Sequence, residues 1–504
     1  MQNKKAHDLA EGHGNVKDLI EFFDADKAVK HIKEIYNKNV TLIRETFLNI
    51  AKTKQMPQKL PNLSKATYPY LGVKVPLKNL NIDHRVAFGA VLEAGTYGTT
   101  LTRPDLFDAY YSKQIDLLIH HHKIPVVVGK SDWPIPLPFV DEWDSETFQS
   151  EKVWQSPIEF ALPNLSMVDD SIVNGTYKVK KGQPLPLALF TAERVDFSIN
   201  RLHHYCGTST EHFQHFILLT NYQRYVDEFL QYAHEALKES ADYYELIEPG
   251  DIVTPNPRLK HANPEGRREA IHQPQMPAYH LKRKDNLGIT FINIGVGPTN
   301  AKTITDHLAV LRPHCWLMLG HCAGLRRSQR LGDYVLAHAY VREDHVLNDD
   351  LPSWVPVPPI AEIQTALEKA VANVTGSLGL NLKDRMRTGT VVSTDNRNWE
   401  LRSQEMMERF RQSRAIALDM ESATIAANGF RMRIPYGTLL CVSDKPIHGE
   451  LKFRGMAHSF YKKSVSQHLR IGIETIRILQ EELHLGDVAI HSRKLRTFDE
   501  PPFR

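Results

Sequence analysis

Two carboxylates, one on each side of a short stretch near the C-terminal end, are the groups in this chain best placed for chemistry. The stretch reads Leu418-Asp419-Met420-Glu421-Ser422-Ala423-Thr424-Ile425-Ala426-Ala427, then a turn, then Tyr436-Gly437-Thr438-Leu439-Leu440-Cys441-Val442-Ser443-Asp444-Lys445-Pro446. Glu421 opens a helix of small apolar residues, where the helix dipole favours a carboxylate. Asp444 ends a continuous apolar run that Pro446 stops, so it lies at the end of a buried parallel strand. Ligands of open α/β sheets sit outside the carboxyl ends of strands, which puts Asp444 where a substrate is met. The competing reading of Asp444 is the cap of the following turn.

Other strand ends carry groups of the same kind. Phe213 to Phe229 reads as a buried strand, a polar turn and an amphipathic helix, the opening unit of a doubly wound fold. In that turn Thr220, Asn221 and Arg224 stand where helix amides and a guanidinium meet a phosphate. The strand from Gly288 to Ile294 runs into Gly295-Val296-Gly297-Pro298-Thr299-Asn300. The first two glycines fit a dinucleotide fingerprint, but Asn300 replaces the third and no acid ends the next strand, which disfavours a nicotinamide site. Cys315 to Leu319 leads into Gly320-His321-Cys322-Ala323-Gly324, again glycine-rich at a strand end. In the N-terminal part, Gly95 to Arg103 is either a β-hairpin with a wet threonine face or an anion site. His120-His121-His122 reads as a solvated helix terminus before a strand rather than a metal site, since adjacent residues do not turn three rings to one ion.

The elements that must position these groups follow from patterning. Residues 15 to 55 carry helical periodicity through Ala28, Val29, Ile32, Ile35 and Tyr36. Pro57 to Pro76 reads as turn-rich, and Arg85 to Val91 as the start of a strand. Residues 249 to 284 read as a mobile basic loop, Ile360 to Val374 and Gln467 to Leu485 as helices, and Arg493 to Arg504 as an extended tail lying on a neighbouring subunit. At 504 residues, two domains are expected. The 62 basic residues nearly match 59 acidic ones, so no nucleic-acid footprint is present. No apolar run approaches the roughly 20 residues that span a bilayer. The N-terminus lacks an apolar signal core, and four scattered cysteines form no disulfide framework, which reads as cytoplasmic.

The paired motifs Asp-Met-Glu-Ser-Ala and Val-Ser-Asp-Lys-Pro, together with the two upstream glycine loops, resemble the signature of the purine nucleoside phosphorylase and nucleosidase superfamily. Over its whole length, tail included, the chain is similar to the bacterial AMP nucleosidase branch of that family. The resemblance implies an α/β fold with a phosphorylase-like C-terminal α/β sandwich domain, residues 191–504, and a smaller α+β regulatory domain, residues 1–190. It implies that Met420 and Glu421 hold the ribose and that Ser443 and Asp444 face the purine. Arg224 then takes a phosphate, with His321 or Arg194 as other cations for it, Gly295 and Gly297 form the family's glycine loop, and Ser393 contacts the ligand at the start of the polar loop that brings Arg397 or Trp399 to the base. Phosphorylases carry a serine where His321 stands, so the imidazole argues against attack by free phosphate and for hydrolysis. The implied partners are AMP and inorganic phosphate, with MgATP as allosteric activator, no covalent cofactor, no metal and a hexameric assembly.

The chemistry implied is cleavage of an N-glycosidic bond to give adenine and D-ribose 5-phosphate. Asp444 protonates the leaving purine near N7, which requires burial to raise its carboxyl. Glu421 accepts from the ribose hydroxyls and faces the developing oxocarbenium. The alternatives are a phosphorylase of the same fold and a catalytically silent nucleotide-binding regulator.

Overall fold

The computed structural model describes residues 11–52, 62–83, 88–141, 160–259, 273–450, 457–484 and 500–503, with side chains from 464 in the last helix. Two compact units divide the chain: 1–200 together with 494–504, and 201–493.

The first unit contains β1 (Lys17–Phe22), α1 (Ala25–Lys52), β2 (Thr67–Val75), β3 (Gly95–Thr100), α2 (Asp108–His122), β4 (Val126–Pro134) and β5 (Leu185–Pro186). Helix α3 (Ala192–Cys206) crosses the division. The strands form a sheet in the order β1-β4-β2-β3-β5. Along α1 the buried residues Ala28, Val29, Ile32, Ile35, Tyr36, Ile43 and Phe47 make the expected stripe. Ahead of it, Lys17–Phe22 is a strand rather than helix.

Further expectations for this unit are corrected. Thr67–Val75, within the region read as turns, is a buried strand. Its Pro69 sits where the pairing with β4 shifts register, a place that tolerates a residue without an N–H. Gly95–Thr100 is a strand paired on both sides, not a hairpin. A Cβ on Gly98 would lie 1.9 Å from the Tyr70 hydroxyl, so packing of that ring requires the glycine. The described part of the tail stays on this unit of its own chain: Phe503 is buried and its N–H donates to the Leu187 carbonyl. The strand expected over 85–91 lies partly outside the described residues, and Phe88-Gly89 is a bend. His122 closes α2 and accepts from the Val91 N–H, a structural role.

The second unit runs β6 (Phe216–Thr220), α4 (Gln223–Glu239), β7 (Tyr243–Glu248), β8 (Ile252–Pro255), β9 (Ala278–Arg283), β10 (Ile289–Asn293), α5 (Pro298–Leu308), β11 (Cys315–Gly324), β12 (Tyr334–Glu343), α6 (Ala361–Thr375), α7 (Gly379–Arg385), β13 (Met386–Thr394), α8 (Ser403–Ser413), β14 (Ala417–Asp419), α9 (Ser422–Arg431), β15 (Tyr436–Asp444) and α10 (Ala457–His484). The sheet order is β14-β13-β12-β15-β11-β6-β10-β9-β7-β8, and β14 also pairs with β11, closing that end into a ring. Strands β10, β6, β11 and β15 are parallel to their neighbours in that run, which brings their carboxyl ends to one side. All five residues of β6 are buried, as expected for a strand covered on both faces. Stacking of Phe229 on Phe291, 4.6 Å between centroids, fastens α4 to β10. Lys282 and Arg283, read as part of a basic loop, belong to β9, and Lys282 pairs with Glu245 at 2.9 Å. Residues 267 and 268 of that reading lie outside the described residues.

Candidate active site

Three loops at strand ends meet on one carboxylate. Glu421, 1% exposed, follows β14 and occupies the N-cap position of α9. Its Oε1 accepts the Gly297 N–H at 2.6 Å, and its Oε2 accepts from Asn221 Nδ2 at 3.0 Å. Gly297 donates from the left-handed side of φ, at +113°, with ψ 155°, a conformation confined almost to glycine. The glycine loop after β10 therefore grips a side chain of the protein itself, and Asn221, expected at a phosphate, holds Glu421 instead. Burial and the neighbouring Asp419 charge push the Glu421 carboxyl up to about 8, against the lowering effect of the Gly297 and Asn221 donors.

Asp419 lies behind this arrangement. It accepts from the Ser393 hydroxyl at 2.5 Å, from the Ser422 N–H at 2.9 Å and from the Ser422 hydroxyl. Burial raises its carboxyl while these donors lower it. Ser393, expected to touch ligand, is fully buried, and its oxygen also accepts the Ala423 N–H at 2.8 Å. Its hydroxyl thus ties β13 to the start of α9.

Asp444 terminates β15. Pairing with β11 matches Cys322 to Val442 but Ala323 to Asp444, so Ser443 is the extra residue of a bulge. Bulges of this kind re-aim a side chain at a strand end. The Ser443 hydroxyl donates to Asp444 Oδ1 at 2.7 Å. Asp444 is half-buried, not buried as the apolar strand before it suggested.

Tyr222 is the group that sequence reasoning passed over. Burial raises its phenol first, and the charges of Glu421 and Asp444 raise it further, while Arg397 lowers it, so one side chain lies within the fields of all three. Its ring meets His321 edge-on at 5.0 Å, and His321 also lies 5.5 Å from the Tyr225 ring. The available signal was its position next to Asn221 in the turn after the first strand of the unit.

The remaining expected residues are spread more widely. Met420, Gly295 and Gly297 are half-buried, Arg224 is exposed on the first turn of α4, and Arg397 is exposed after β13. Thr220 is fully buried, and its hydroxyl has no hydrogen-bond partner among the described residues. Trp399 is corrected: it is 5% exposed and packs edge-on to Phe410 at 5.7 Å, with Leu325, Val392 and Leu418 in the same core. Its indole fills a core. Arg194 belongs to the first unit, where it is buried against Asp170 at 2.9 Å. Among the described residues no group of three His, Cys, Asp or Glu could hold a metal ion, and no helix is long and apolar enough to cross a membrane.

Known proteins resemble this chain over both units. A family model described as bacterial AMP nucleoside phosphorylase N-terminus matches residues 27–184, and one described as phosphorylase superfamily matches residues 249–477. The AMP nucleosidase of Escherichia coli (strain K12) is 47% identical over 488 residues, covering 95% of this chain and 98% of that protein. The uridine phosphorylase of Thermococcus kodakarensis is 22% identical over 222 residues, 40% of this chain and 76% of that protein. A crystal structure of AMP nucleosidase from Bacteroides thetaiotaomicron VPI-5482 aligns with a TM-score of 0.42 at 28% identity, covering 57% of this chain and 98% of that one. With identity of 47% running through both units, and with the two signature carboxylates brought to one set of strand ends, the chain belongs to the AMP nucleosidase family.

Proposed function

We infer that this chain hydrolyses AMP to adenine and D-ribose 5-phosphate. The observation that carries the reading is the fixing of buried Glu421 by Gly297 and Asn221, with Asp444 acting on the same neighbour, Tyr222. The bond from C1′ to N9 breaks, and its electron pair leaves with the purine. With the purine closing over its half-buried carboxyl, Asp444 gives the base its proton, water adds to C1′, and the proton lost by that water restores Asp444. Glu421 accepts from the ribose hydroxyls, and its ionised form, present above about pH 8 in the free chain and favoured by the positive charge that grows on the sugar, faces that charge. Such an interaction strengthens in the transition state and so raises kcat rather than binding alone.

Arg224 is the cation assigned to the 5′-phosphate, and Met420 and Ser443 line the sugar and base. His321, enclosed by Tyr222 and Tyr225, occupies the position at which the phosphorylases of this superfamily hold their phosphate nucleophile with a serine. The reading carries with it MgATP and inorganic phosphate as effectors acting through the first unit, a cytoplasmic location and a hexameric assembly. The four buried cysteines, none in a disulfide, suit a reducing compartment.

Incubation of the purified chain with AMP, in the presence and absence of phosphate, tests the reaction. Adenine and ribose 5-phosphate formed equally in both support hydrolysis. Ribose 1,5-bisphosphate appearing only with phosphate makes the chain a phosphorylase, and AMP binding without turnover makes it a regulator.

A further inference from the structure

A polar cavity in the second unit contains none of the groups assigned above. Its volume is about 370 Å³, and Arg326, Ser328, Gln329, Lys383, Arg387 and Thr388 line it together with Met386 and Ile416. Four segments build it: the loop after β11, the end of α7, the first residues of β13 and, through Ile416, the loop before β14. Three cations and two hydroxyls face it, and no carboxylate is among the lining residues.

The polar groups here are incompletely used by the protein. Gln329 is 1% exposed; its Oε1 accepts the Arg326 N–H at 2.9 Å, yet its Nε2, buried, has no hydrogen-bond partner among the described residues. A buried amide donor left without an acceptor costs about 1–3 kcal/mol, so an acceptor brought into the cavity relieves it. Arg387 Nε is likewise buried and without a hydrogen-bond partner among the described residues. The same guanidinium has an ion pair with Asp384, at 3.7 Å, and that carboxylate is 81% exposed. Arg326 Nη2 donates to the Arg414 carbonyl at 2.9 Å, which fixes its fork. Lys383 donates to Glu368 at 2.9 Å in an exposed pair, which is easily exchanged for a better acceptor. Asp333 is the other acid nearby, and it is buried within the field of Arg330, Arg385 and Arg387.

Donors and positive charge without an acidic wall select an oxyanion. Two guanidinium groups, one ammonium, an amide N–H and two hydroxyls match the many acceptor lone pairs of a tetrahedral phosphoryl group. We propose that the cavity between the loop after β11 and the start of β13 binds a phosphoryl dianion, with Arg387, Lys383 and Gln329 Nε2 donating to it. The group is supplied either as inorganic phosphate or as the terminal phosphate of a nucleotide. The proposal rests on this cavity alone and does not depend on which reaction the Glu421 site performs.

Calorimetric titration of the full chain with inorganic phosphate, and separately with ATP, at fixed ionic strength tests it. The variants are Lys383→Gln, whose side chain is 62% exposed, and the double variant Lys383→Gln/Arg387→Gln. Loss of one charge-assisted hydrogen bond weakens a dianion about tenfold or more, and loss of two weakens it further. A phosphate-binding event that weakens stepwise in the two variants, while AMP turnover and Tm hold, supports the site and names free phosphate as its ligand. The same stepwise loss seen for ATP alone supports the site with a nucleotide as its ligand. Sulfate, a dianion of the same shape, competes in either case. Isotherms for phosphate and ATP that are identical in the wild type and in Lys383→Gln overturn the proposal, as does displacement of all phosphate by a saturating AMP analogue.

Discussion

Replacement of Gly297 by alanine separates the reach of one backbone N–H from the integrity of the fold. A Cβ at this position meets nothing within 4 Å, so the variant suffers no clash. What it cannot keep is the backbone: φ of +113° with ψ 155° costs an L-residue about 1–3 kcal/mol, and the loop relaxes to escape that strain. Relaxation moves the N–H that lies 2.6 Å from Glu421 Oε1. A hydrogen bond to a charged group is worth about 1.5–3 kcal/mol, which corresponds to a fall of roughly 10- to 150-fold in kcat/KM if that bond positions the carboxylate for the transition state. The control is Gly376→Ala, also in a left-handed conformation, at +65°, also with open space, but at the C-terminal cap of α6. Steady-state release of adenine and thermal melts on both variants give the comparison. Both variants lose stability, and only Gly297→Ala loses turnover. Turnover of Gly297→Ala within twofold of wild type, at the same Tm loss as Gly376→Ala, would refute the assignment of Glu421 as a positioned catalytic group.

Further outcomes follow from the same geometry. Asp444→Asn keeps the Ser443 contact in shape but cannot donate a carboxylic proton, so adenine release falls by about 100- to 10,000-fold while AMP affinity measured by calorimetry stays near wild type; unchanged turnover removes its role as the acid. Glu421 ionises near 4.5 when unfolded and holds its proton to about 8 when folded, so between those values the native state binds more protons and stability falls as pH rises. Glu421→Gln flattens that decline, and Tm measured from pH 5 to 8 without substrate shows a shallower slope; an unaltered slope contradicts the burial of an ionisable group there. Trp399→Ala loses about 3–5 kcal/mol of stability in denaturant melts, with KM for AMP within twofold, because the indole packs on Phe410 and not on a base; a raised KM at unchanged stability reverses that reading.

Much of the positioning framework was legible from the chain. The α4 face, the buried β6, the helix of small residues after Glu421 and the apolar run into Asp444 all follow from local periodicity, and each is found. The errors have local causes of the same kind. Pro69 masked a nine-residue strand because proline reads as a break, and only the register shift against β4 makes room for it. Trp399 was offered to the base by the family resemblance, in which an aromatic near this position stacks on the purine, and the neighbours that bury it here lie at Leu325, Phe410 and Leu418.

By itself the sequence determined that two acids stand at the ends of a strand and a helix, since each placement depends on a few adjacent residues. It also carried the family signature, because those motifs are contiguous. Only the tertiary structure decided what the acids touch. Gly297 is 124 residues from Glu421 and Asn221 is 200 residues from it, and their meeting depends on β14 pairing back antiparallel onto β11 beside the parallel β6 and β10, an order not written in any window of sequence. The bulge at Ser443, the half-burial of Asp444 and the entry of Tyr222 into the fields of both carboxylates arise in the same way. A side chain's partners and its dielectric surroundings are set by packing at long range, where local pattern carries no information.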